Sequence, residues 1–228
     1  GYSFFSHSDT EVIIKAYHCW GEDCVKYLDG MFAFCVWDQP NQKLFIARDR
    51  MGIKPLYYNL SNKAFTFASN SQALLTQELD RSVNPLALQQ QLSLHGVVPA
   101  PNTIINGIQK VKPATVITIN TKGLLKEKTY WHPGANRSER NLSDNEYVEK
   151  AHELLTAAVT KRMDAADVLI GVLLSGGLDS SLLVALLKEA GHEDIRTFSI
   201  GFEDIDNEAG SEFEYSDQIV SKFKTQHQ

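Results

Sequence analysis

The stretch VLIGVLLSGGLDSSLLVALL, residues 168–187, decides the fold of the second half of this chain. Two apolar runs lie on either side of a small polar segment, SGGLDSS. The first run has the length of a strand and the second has helix-forming residues, so the pattern predicts a strand over 168–174 and a helix over 180–190. A further apolar run predicts a second strand over 195–201. Continuously apolar strands joined through a helix indicate a βαβ unit whose parallel sheet is buried on both faces.

The SGGLDSS loop, residues 175–181, has the composition of an anion-binding loop. Gly176 and Gly177 allow the backbone to turn tightly and to approach a ligand, and the helix that follows presents unpaired amide groups. Three serines can add hydroxyl donors: Ser175, Ser180 and Ser181. We therefore predict that the loop binds a phosphate group. The alternative is a plain strand-to-helix turn in which Asp179 or Ser180 is the helix N-cap.

Other common phosphate-binding and nucleophile patterns are missing from the sequence. There is no G-x-x-x-x-G-K-[ST] P-loop and no G-x-G-x-x-G dinucleotide fingerprint. There is no G-x-S-x-G elbow either, so Ser175 is a poor candidate for a nucleophile. Asp179 is more informative, because a carboxylate beside a polyphosphate is repelled unless a cation lies between them. The loop itself therefore predicts Mg²⁺ bound at Asp179.

Composition excludes several classes of function. The 228 residues carry a formal net charge of −6, which argues against sequence-independent binding to nucleic acid or anionic membranes. No stretch approaches the roughly 20 apolar residues of a membrane span. Cys19, Cys24 and Cys35 are odd in number and fit no zinc spacing, which predicts free thiols in a reducing cytosol. We expect a cytoplasmic protein that binds neither nucleic acid nor a membrane.

The two ends of the chain predict a fragment. Gly1 is not an initiator methionine, and the opening residues GYSFFS have the pattern of a strand that is already under way. The final residues, SKFKTQHQ, carry no terminating signal. We therefore expect the chain to be a piece of a longer protein.

Helix and hairpin patterns fill the first 130 residues. Ser8 and Glu11 form a capping box, and the helix behind it is expected to bury an apolar face. That face comprises Val12, Ile13, Ala16, Tyr17 and Trp20. Strand patterns then run from MFAFCVWD to AFTFAS as a series of β-hairpins, and Asn84 followed by Pro85 starts another helix. The segments TVITI and LLKEKTY add one more hairpin.

A polar segment with proline and glycine, WHPGANRSERNL, divides the chain at residues 131–142. Ser143 and Glu146 form a second capping box directly after it and open a further helix. The sequence thus predicts an α+β part over 1–130, a linker over 131–142 and an α/β part over 143–228.

The run LLSGGLDSS resembles the pyrophosphate loop of the ATP-pyrophosphatase superfamily, whose fold is adenine nucleotide alpha hydrolase-like. Members of this superfamily adenylate a carboxylate or carbonyl group and release pyrophosphate. The resemblance implies that residues 175–181 bind the β- and γ-phosphates of ATP, with Asp179 on Mg²⁺. It also implies that Leu174 and Ile200 hold the adenosine through backbone contacts. The alternative for both residues is an ordinary place in a buried strand.

Four segments, SDTEVIIKAY, LDGMFAFCVWD, ARDRMGIKPLYY and VVPAPNTI, together resemble the asparagine synthetase-type (class II) glutamine amidotransferases. In that family an N-terminal-nucleophile glutaminase sandwich of α+β class precedes the α/β ATP-pyrophosphatase domain, and the resemblance implies a partial copy of each here. Asp9 matches the aspartate that holds the α-amino group of glutamine. The alternative is a first-turn carboxylate that supports the helix dipole. Arg48, Asp49 and Arg50 match scaffold residues, not catalytic ones.

No catalytic residue of the glutaminase is expected within this chain. The family nucleophile is a cysteine at the mature N-terminus, activated by its own α-amine, and it would precede Gly1. Cys19, Cys24 and Cys35 cannot replace it, because none of them has a free amine. Later synthetase residues would follow Gln228. We expect the chain by itself to be inactive, and the longer protein to be a carbon–nitrogen ligase with glutamine as the amide donor and ATP as the second substrate.

Departures from the asparagine synthetase pattern bear on the acceptor. Asn70 stands where those enzymes commonly have glutamate, and an acidic insertion with NEAGSEFEYSD follows TFSIGFED. Together with LSLHGVVPAPNTII and KPATVITI, this insertion is more similar to the N-acetylglutaminylglutamine amidotransferases, which form the terminal amide of a dipeptide osmolyte. We expect N-acetylglutaminylglutamine as the carboxylate acceptor, with aspartate as the alternative. The resemblance leaves a homodimer open.

Two hypotheses from other classes remain open. One is a homologue that binds nucleotide only as a sensor, and Asp179 argues against it because a sensor has no need of a metal-bridging carboxylate. The other is a glutaminase-only or scaffold protein in which the SGGLDSS loop is structural. A test of nucleotide binding distinguishes that hypothesis from the ligase.

Overall fold

The structure is a computed structural model that describes residues 1–61, 64–134, 142–201 and 213–228. It falls into two units, Gly1–Ala135 and Asn136–Gln228. The linker predicted over 131–142 and the domain limits on either side of it stay predictions, because residues 135–141 lie outside the described part. Most of the acidic segment NEAGSEFEYSD also lies outside it.

The N-terminal unit combines helices with antiparallel strands. Its helices are α1 (Asp9–Trp20), α2 (Ser71–Leu74) and α3 (Pro85–Ser93), and a 3-10 helix spans Gly21–Lys26. Its strands are β1 (Ala33–Asp38), β2 (Lys43–Arg48), β3 (Tyr57–Leu60), β4 (Phe65–Ala68), β5 (Gln109–Lys110), β6 (Thr115–Asn120) and β7 (Leu125–Thr129). The predicted hairpins are confirmed, since β1 pairs with β2, β3 with β4 and β6 with β7, all antiparallel. The predicted cap of α3 is also confirmed, because the Asn84 side chain accepts from the Ala87 amide at 3.2 Å.

Two sheets pack face to face in this unit. One has the strand order β1-β2-β6-β7 and the other has the order β4-β3-β5. Because side chains alternate along a strand, β2 buries residues on both faces of its sheet. Phe45 and Ala47 belong to the cluster with Ala16 of α1, whereas Ile46 belongs to the cluster with Tyr58 of the second sheet. Helix, sheet and second sheet thus form three layers of an α+β fold.

The start of the chain departs from the sequence prediction in two ways. Residues 1–6 form no strand. Ser8 and Glu11 form no reciprocal capping box either, because Ser8 caps α1 by accepting from the Thr10 amide at 3.2 Å while Glu11 turns elsewhere. The Glu11 carboxylate instead accepts from two backbone amides earlier in the chain, at 3.1 and 2.7 Å. The segment that carries these amides folds back onto the buried Glu11 side chain. The spacing of Ser8 and Glu11 in the sequence does not predict this contact.

The predicted apolar face of α1 is only partly buried. Ala16 packs into the core with Tyr17 beside it, but Val12 and Trp20 are exposed. Trp20 stacks on Tyr27 of the following segment, with ring centroids 4.2 Å apart. The helix therefore meets the sheet through a narrow strip around Ala16, and its other apolar residues lie to the side.

Parallel strands and helices alternate in the C-terminal unit. Its helices are α4 (Asp144–Asp164), α5 (Leu178–Glu189) and α6 (Phe213–Phe223), and its strands are β8 (Gly171–Leu173), β9 (Arg196–Phe198) and β10 (Gln226–His227). The strand order is β10-β9-β8 and both pairs are parallel, which confirms the βαβ unit. The second capping box is confirmed, because Ser143 and Glu146 each accept from the other's amide. In the part of the chain that the structure describes, no helix is both long and apolar enough to cross a bilayer.

Burial of the parallel sheet differs from the prediction. Val172 and Leu174 are buried in one cluster with side chains of α4, α5 and α6. Leu173, between them, is 72% exposed, and Phe198 on β9 is also exposed. Burial on both faces is therefore wrong for the described residues. The reason is that all three helices pack on the face that carries Val172.

Candidate functional site

The SGGLDSS loop lies between the end of β8 and the start of α5. Gly176 has a φ of +81°, a left-handed conformation that glycine adopts without strain. Gly177 is the N-cap of α5, and it makes no side-chain cap bond, so the first-turn amides have no partner within the helix. The helix begins at Leu178, earlier than predicted. The alternative in which Asp179 or Ser180 caps the helix is wrong, because both lie inside its first turn.

The serines of the loop gather at the same end of α5. The hydroxyl oxygens of Ser175 and Ser180 are 3.2 Å apart, and the Gly177 amide donates to the Ser175 hydroxyl at 3.3 Å. The hydroxyl oxygen of Ser181 is buried and has no hydrogen-bond partner among the described residues. A buried polar group without a partner costs about 1–3 kcal/mol, which a phosphate oxygen bonded to it would offset. The donor set therefore fits an anion.

The loop also contacts the first turns of α6, a relationship that sequence analysis missed. A Cβ atom added to Gly176 would lie 2.5 Å from the Cβ of Tyr215 and 2.6 Å from the amide nitrogen of Ser216. Ser216 is buried, and its hydroxyl donates to the Phe213 carbonyl at 3.1 Å. Gly176 is thus required for close packing as well as for its backbone conformation. The only signal in the sequence was the glycine itself, which does not identify its neighbour.

Asp179 presents an exposed carboxylate in the first turn of α5, where the helix dipole favours a negative charge. Carboxylate oxygen is a preferred ligand of Mg²⁺, which usually takes one or two carboxylates together with substrate phosphates and water. Among the described residues there is no group of three or more His, Cys, Asp or Glu side chains that could hold a metal alone. As a carboxylate within the SGGLDSS loop, Asp179 fits a metal that is shared with a bound phosphate.

Leu174 and Ile200 lie near the ends of neighbouring strands. The Leu174 amide donates to the Phe198 carbonyl at 2.8 Å, and its carbonyl accepts from the Ser199 hydroxyl at 2.5 Å. The Leu174 side chain is buried, whereas Ile200 is 74% exposed. An ordinary buried strand position therefore describes Leu174 but not Ile200. Both residues lie at the carboxyl edge of the sheet, where ligands bind in open α/β folds.

Asp9 lies in the N-terminal unit as the first residue of α1. Its side chain is exposed, and within the residues that the structure describes it forms no ion pair. Glu11, two residues further along the same helix, is buried and forms an ion pair with Lys15. Asp9 therefore carries the carboxylate at this helix end that is available to a cationic ligand.

The charged triplet Arg48, Asp49 and Arg50 serves the fold, as predicted. Asp49 is 1% exposed, and its carboxylate accepts three backbone hydrogen bonds of 2.9–3.1 Å. The donors are the amides of Met51, Ile53 and Lys54. The Arg48 guanidinium donates to two carbonyls of the same loop at 2.7 and 2.8 Å. These bonds shape the turn after β2, which supports a scaffold role for Arg48 and Asp49, and Arg50 donates to the Lys26 carbonyl at 3.3 Å.

The chain combines a layered α+β unit with a parallel sheet that carries the SGGLDSS loop, and a family model matches most of each part. Residues 1–131 match the family model of the glutamine amidotransferase domain, and residues 150–228 match the model of asparagine synthase. The first match covers more than half of the chain. The chain therefore belongs to the glutamine amidotransferase family, and the second match makes it the asparagine synthetase type.

Curated relatives are similar along most of the chain. Glutamine-hydrolyzing asparagine synthetase 1 of Bacillus subtilis is 38% identical over 203 residues, which cover 89% of this chain and 31% of that protein. Putative glutamine-hydrolyzing asparagine synthetase 2 of Methanocaldococcus jannaschii is 35% identical over 225 residues, which cover 96% of this chain and 42% of that protein. The chain thus spans less than half the length of either relative.

One solved structure gives a more distant match. The glutamine phosphoribosylpyrophosphate amidotransferase from B. subtilis, complexed with ADP and GMP, matches with a TM-score of 0.42 and 16% identity. The match covers 100% of this chain and 65% of that chain. The family assignment rests on the two family models.

Proposed function

We propose that the whole protein is an ATP-dependent ligase that amidates a carboxylate with ammonia taken from glutamine. The observation that carries the proposal is the geometry of the SGGLDSS loop. Gly176 is left-handed, Gly177 caps α5 without a side chain, and the Ser181 hydroxyl is buried without a partner. Such a loop fits a pyrophosphate group. The names of relatives that match most of the chain, glutamine-hydrolyzing asparagine synthetases, support the same proposal.

The proposed reaction has two steps at this loop. ATP binds with its β- and γ-phosphates on residues 175–181 and its adenosine against the backbone of Leu174 and Ile200. The acceptor carboxylate attacks the α-phosphorus, which gives an acyl-adenylate and releases pyrophosphate. Ammonia then attacks the acyl carbon, the amide forms and AMP leaves. The loop contributes by orienting the phosphates and by stabilising the negative charge of the leaving pyrophosphate.

Two carboxylates complete the proposed site residues. Asp179 would hold Mg²⁺, which would neutralise the phosphate charge that the carboxylate otherwise repels. Asp9 would hold the α-amino group of glutamine through a charge-assisted hydrogen bond. Its exposure and its position in the first turn of α1 support this role.

The acceptor that we propose is N-acetylglutaminylglutamine. The segments LSLHGVVPAPNTII and KPATVITI support it, and most of the third segment, NEAGSEFEYSD, lies outside the described residues. Aspartate is the second candidate, and the names of the relatives favour it. Both acceptors present a carboxylate to the same reaction, so the loop geometry does not distinguish them.

The test supplies the full-length protein with glutamine, Mg-ATP and one of the two acceptors, and follows the products by mass spectrometry. We expect amidated dipeptide with equimolar AMP and pyrophosphate. Asparagine as the product would identify aspartate as the acceptor. ATP binding without release of pyrophosphate from ATP, whichever acceptor is supplied, would indicate a nucleotide sensor, and no ATP binding would indicate a scaffold protein.

Two matched variants test the role of the loop carboxylate. Asp179→Asn removes the charge that we place on Mg²⁺, and we expect it to slow pyrophosphate release about 100-fold or more. Asp194→Asn makes the same chemical change at an exposed position between α5 and β9. We expect this control to stay within about twofold of wild type, as surface substitutions usually do. Equal rates for both variants would refute the role of Asp179.

A further inference from the structure

A buried carboxylate in α1 binds the segment that precedes the helix. Glu11 is 7% exposed. Its carboxylate accepts from the Phe5 amide at 3.1 Å, from the Ser6 amide at 2.7 Å and from the Ser6 hydroxyl at 2.5 Å. One side chain therefore fixes two consecutive backbone positions and one side chain of a segment that has no secondary structure of its own.

Lys15, one turn further along α1, contacts both the Glu11 carboxylate and the segment that Glu11 binds. Its ammonium group donates to the Glu11 carboxylate and to the Ser3 carbonyl. The same ammonium group lies 4.4 Å from the ring centroid of Phe4 and 4.6 Å from that of Phe5. We call Glu11 and Lys15 the α1 clasp. Every residue from 3 to 6 touches one member of the clasp or both.

Hydrophobic burial does not hold this segment. Phe5 is 88% exposed and Phe4 is also exposed, so their rings lose little contact with water. The bonds of the clasp are charge-assisted, which makes them stronger than neutral hydrogen bonds. They also hold the pKa of Glu11 at about 2, although its burial alone would raise the pKa. The clasp is therefore the main connection between residues 3–6 and α1.

The contacts of the clasp span Asp9, because Glu11 and Lys15 follow that residue and the segment they bind precedes it. Ser6, three residues before Asp9, is bound by Glu11, two residues after it. The Ser8 amide donates to the Ser6 hydroxyl at 3.3 Å, and the Ser8 side chain caps the helix. The backbone on which Asp9 sits is thus fixed before and after that residue. Lys15 neutralises Glu11, so the clasp adds no competing negative charge next to Asp9.

We propose that Glu11 is a positioning residue for glutamine: with Lys15 it fixes residues 3–6 against α1 and so sets where the Asp9 carboxylate meets the α-amino group. This inference rests on the proposed function, since it assumes that the site takes glutamine. Glu11 itself does not touch the substrate. Its effect is transmitted through the backbone between Ser6 and Asp9.

The experiment compares variants of the full-length protein with glutamine and with ammonia as nitrogen donor. Glu11→Gln leaves one acceptor oxygen and places an NH₂ group against the donors of Phe5, Ser6 and Lys15. Because small misplacements of binding groups have large kinetic effects, we expect it to raise the KM for glutamine about tenfold. The ammonia-dependent rate should stay within about twofold, because it does not use the glutamine site. Lys15→Met should resemble Glu11→Gln.

Glu22→Gln is the matched control, because Glu22 lies on the 3-10 helix and forms a more exposed ion pair with Lys43 of β2. We expect its KM for glutamine to equal that of wild type. An unchanged KM in Glu11→Gln and in Glu11→Ala would overturn the inference. Loss of the glutamine-dependent and ammonia-dependent rates together, with a lower melting temperature, would also overturn it by showing a purely structural role. A wild-type protein that cannot hydrolyse glutamine would refute the proposed function and the inference together.

Discussion

Gly176 lies so close to Tyr215 that no side chain fits between them, since a Cβ on Gly176 would stand 2.5 Å from the Cβ of Tyr215. Gly176 also has a φ of +81°, which is strained for any other residue. Gly176→Ala must therefore distort the SGGLDSS loop or move α6 away from it. We expect this variant to bind Mg-ATP at least about tenfold more weakly than wild type, measured by isothermal titration calorimetry.

The variant Gly191→Ala separates the effect of backbone strain from the effect of packing against α6. Gly191 has a φ of +90°, but a Cβ atom added there would meet nothing within 4 Å. This variant should be destabilised by about 1–2 kcal/mol through backbone strain alone, with unchanged affinity for ATP. If both variants lost ATP affinity equally, packing against α6 would not be the reason that position 176 requires glycine.

Asp49→Asn should destabilise the N-terminal unit strongly. Asparagine keeps one acceptor oxygen and turns an NH₂ group toward backbone amides that are themselves donors. With Asp49 buried and three amides bound to it, we expect a loss of about 2–3 kcal/mol in the free energy of unfolding, measured by urea denaturation. Asp23→Asn is the control, because the Asp23–Lys26 ion pair is half-exposed and solvent screening leaves such pairs a much smaller contribution to stability. Similar losses in both variants would contradict the scaffold role.

The three cysteines should differ in reactivity toward an alkylating agent. Burial raises the pKa of Cys24 and of Cys35 to about 11, so about one thousandth of each thiol is ionised at pH 8. Cys19 is exposed. We expect iodoacetamide to modify Cys19 alone in the native protein, and all three cysteines in denaturant, as read by peptide mass spectrometry. Modification of Cys24 at the rate of Cys19 would contradict the burial of that thiol.

Acid should weaken the α1 clasp. Burial opposes the charge of Glu11, but hydrogen bonds from Lys15, Ser6 and Phe5 hold its pKa at about 2, below the ordinary value of 4.5. Because the pKa is depressed in the folded state, the carboxylate stabilises the fold above pH 4.5, and this contribution is lost as the pH falls toward 2. We expect the difference in unfolding free energy between wild type and Glu11→Gln to be largest near pH 7 and to shrink below pH 4.5. Urea denaturation at a series of pH values measures it, and a difference independent of pH would show that the charge of Glu11 is not responsible.

Elements with local determinants could be predicted from the sequence. Ser143 and Glu146 are three residues apart and cap α4 as expected, and Asn84 with Pro85 starts α3. The hairpins followed from alternating apolar residues and the turns between them. Capping and strand alternation act between near neighbours, so the residues that decide them lie in one short window.

Contacts between distant segments could not be predicted in this way. The Ser8 and Glu11 spacing fits a capping box, yet Glu11 binds the amides of Phe5 and Ser6 because that segment folds back onto α1. The apolar run through Leu173 fits a strand buried on both faces, yet in the described part of the chain one face stays exposed. An apolar pattern shows that a residue can be buried, but it does not identify the surface that covers it.

The sequence by itself determined the chemistry of the SGGLDSS loop, its place between a strand and a helix, and the order of the elements around it. These features depend on residue type and on periodicity along the chain. Only the tertiary structure decided that Gly176 meets Tyr215, that Gly177 caps α5 and that Glu11 holds the segment before Asp9. Each of these contacts depends on which surfaces pack together. That packing joins segments that are far apart in sequence or that fold back on each other, so no short window of sequence determines it.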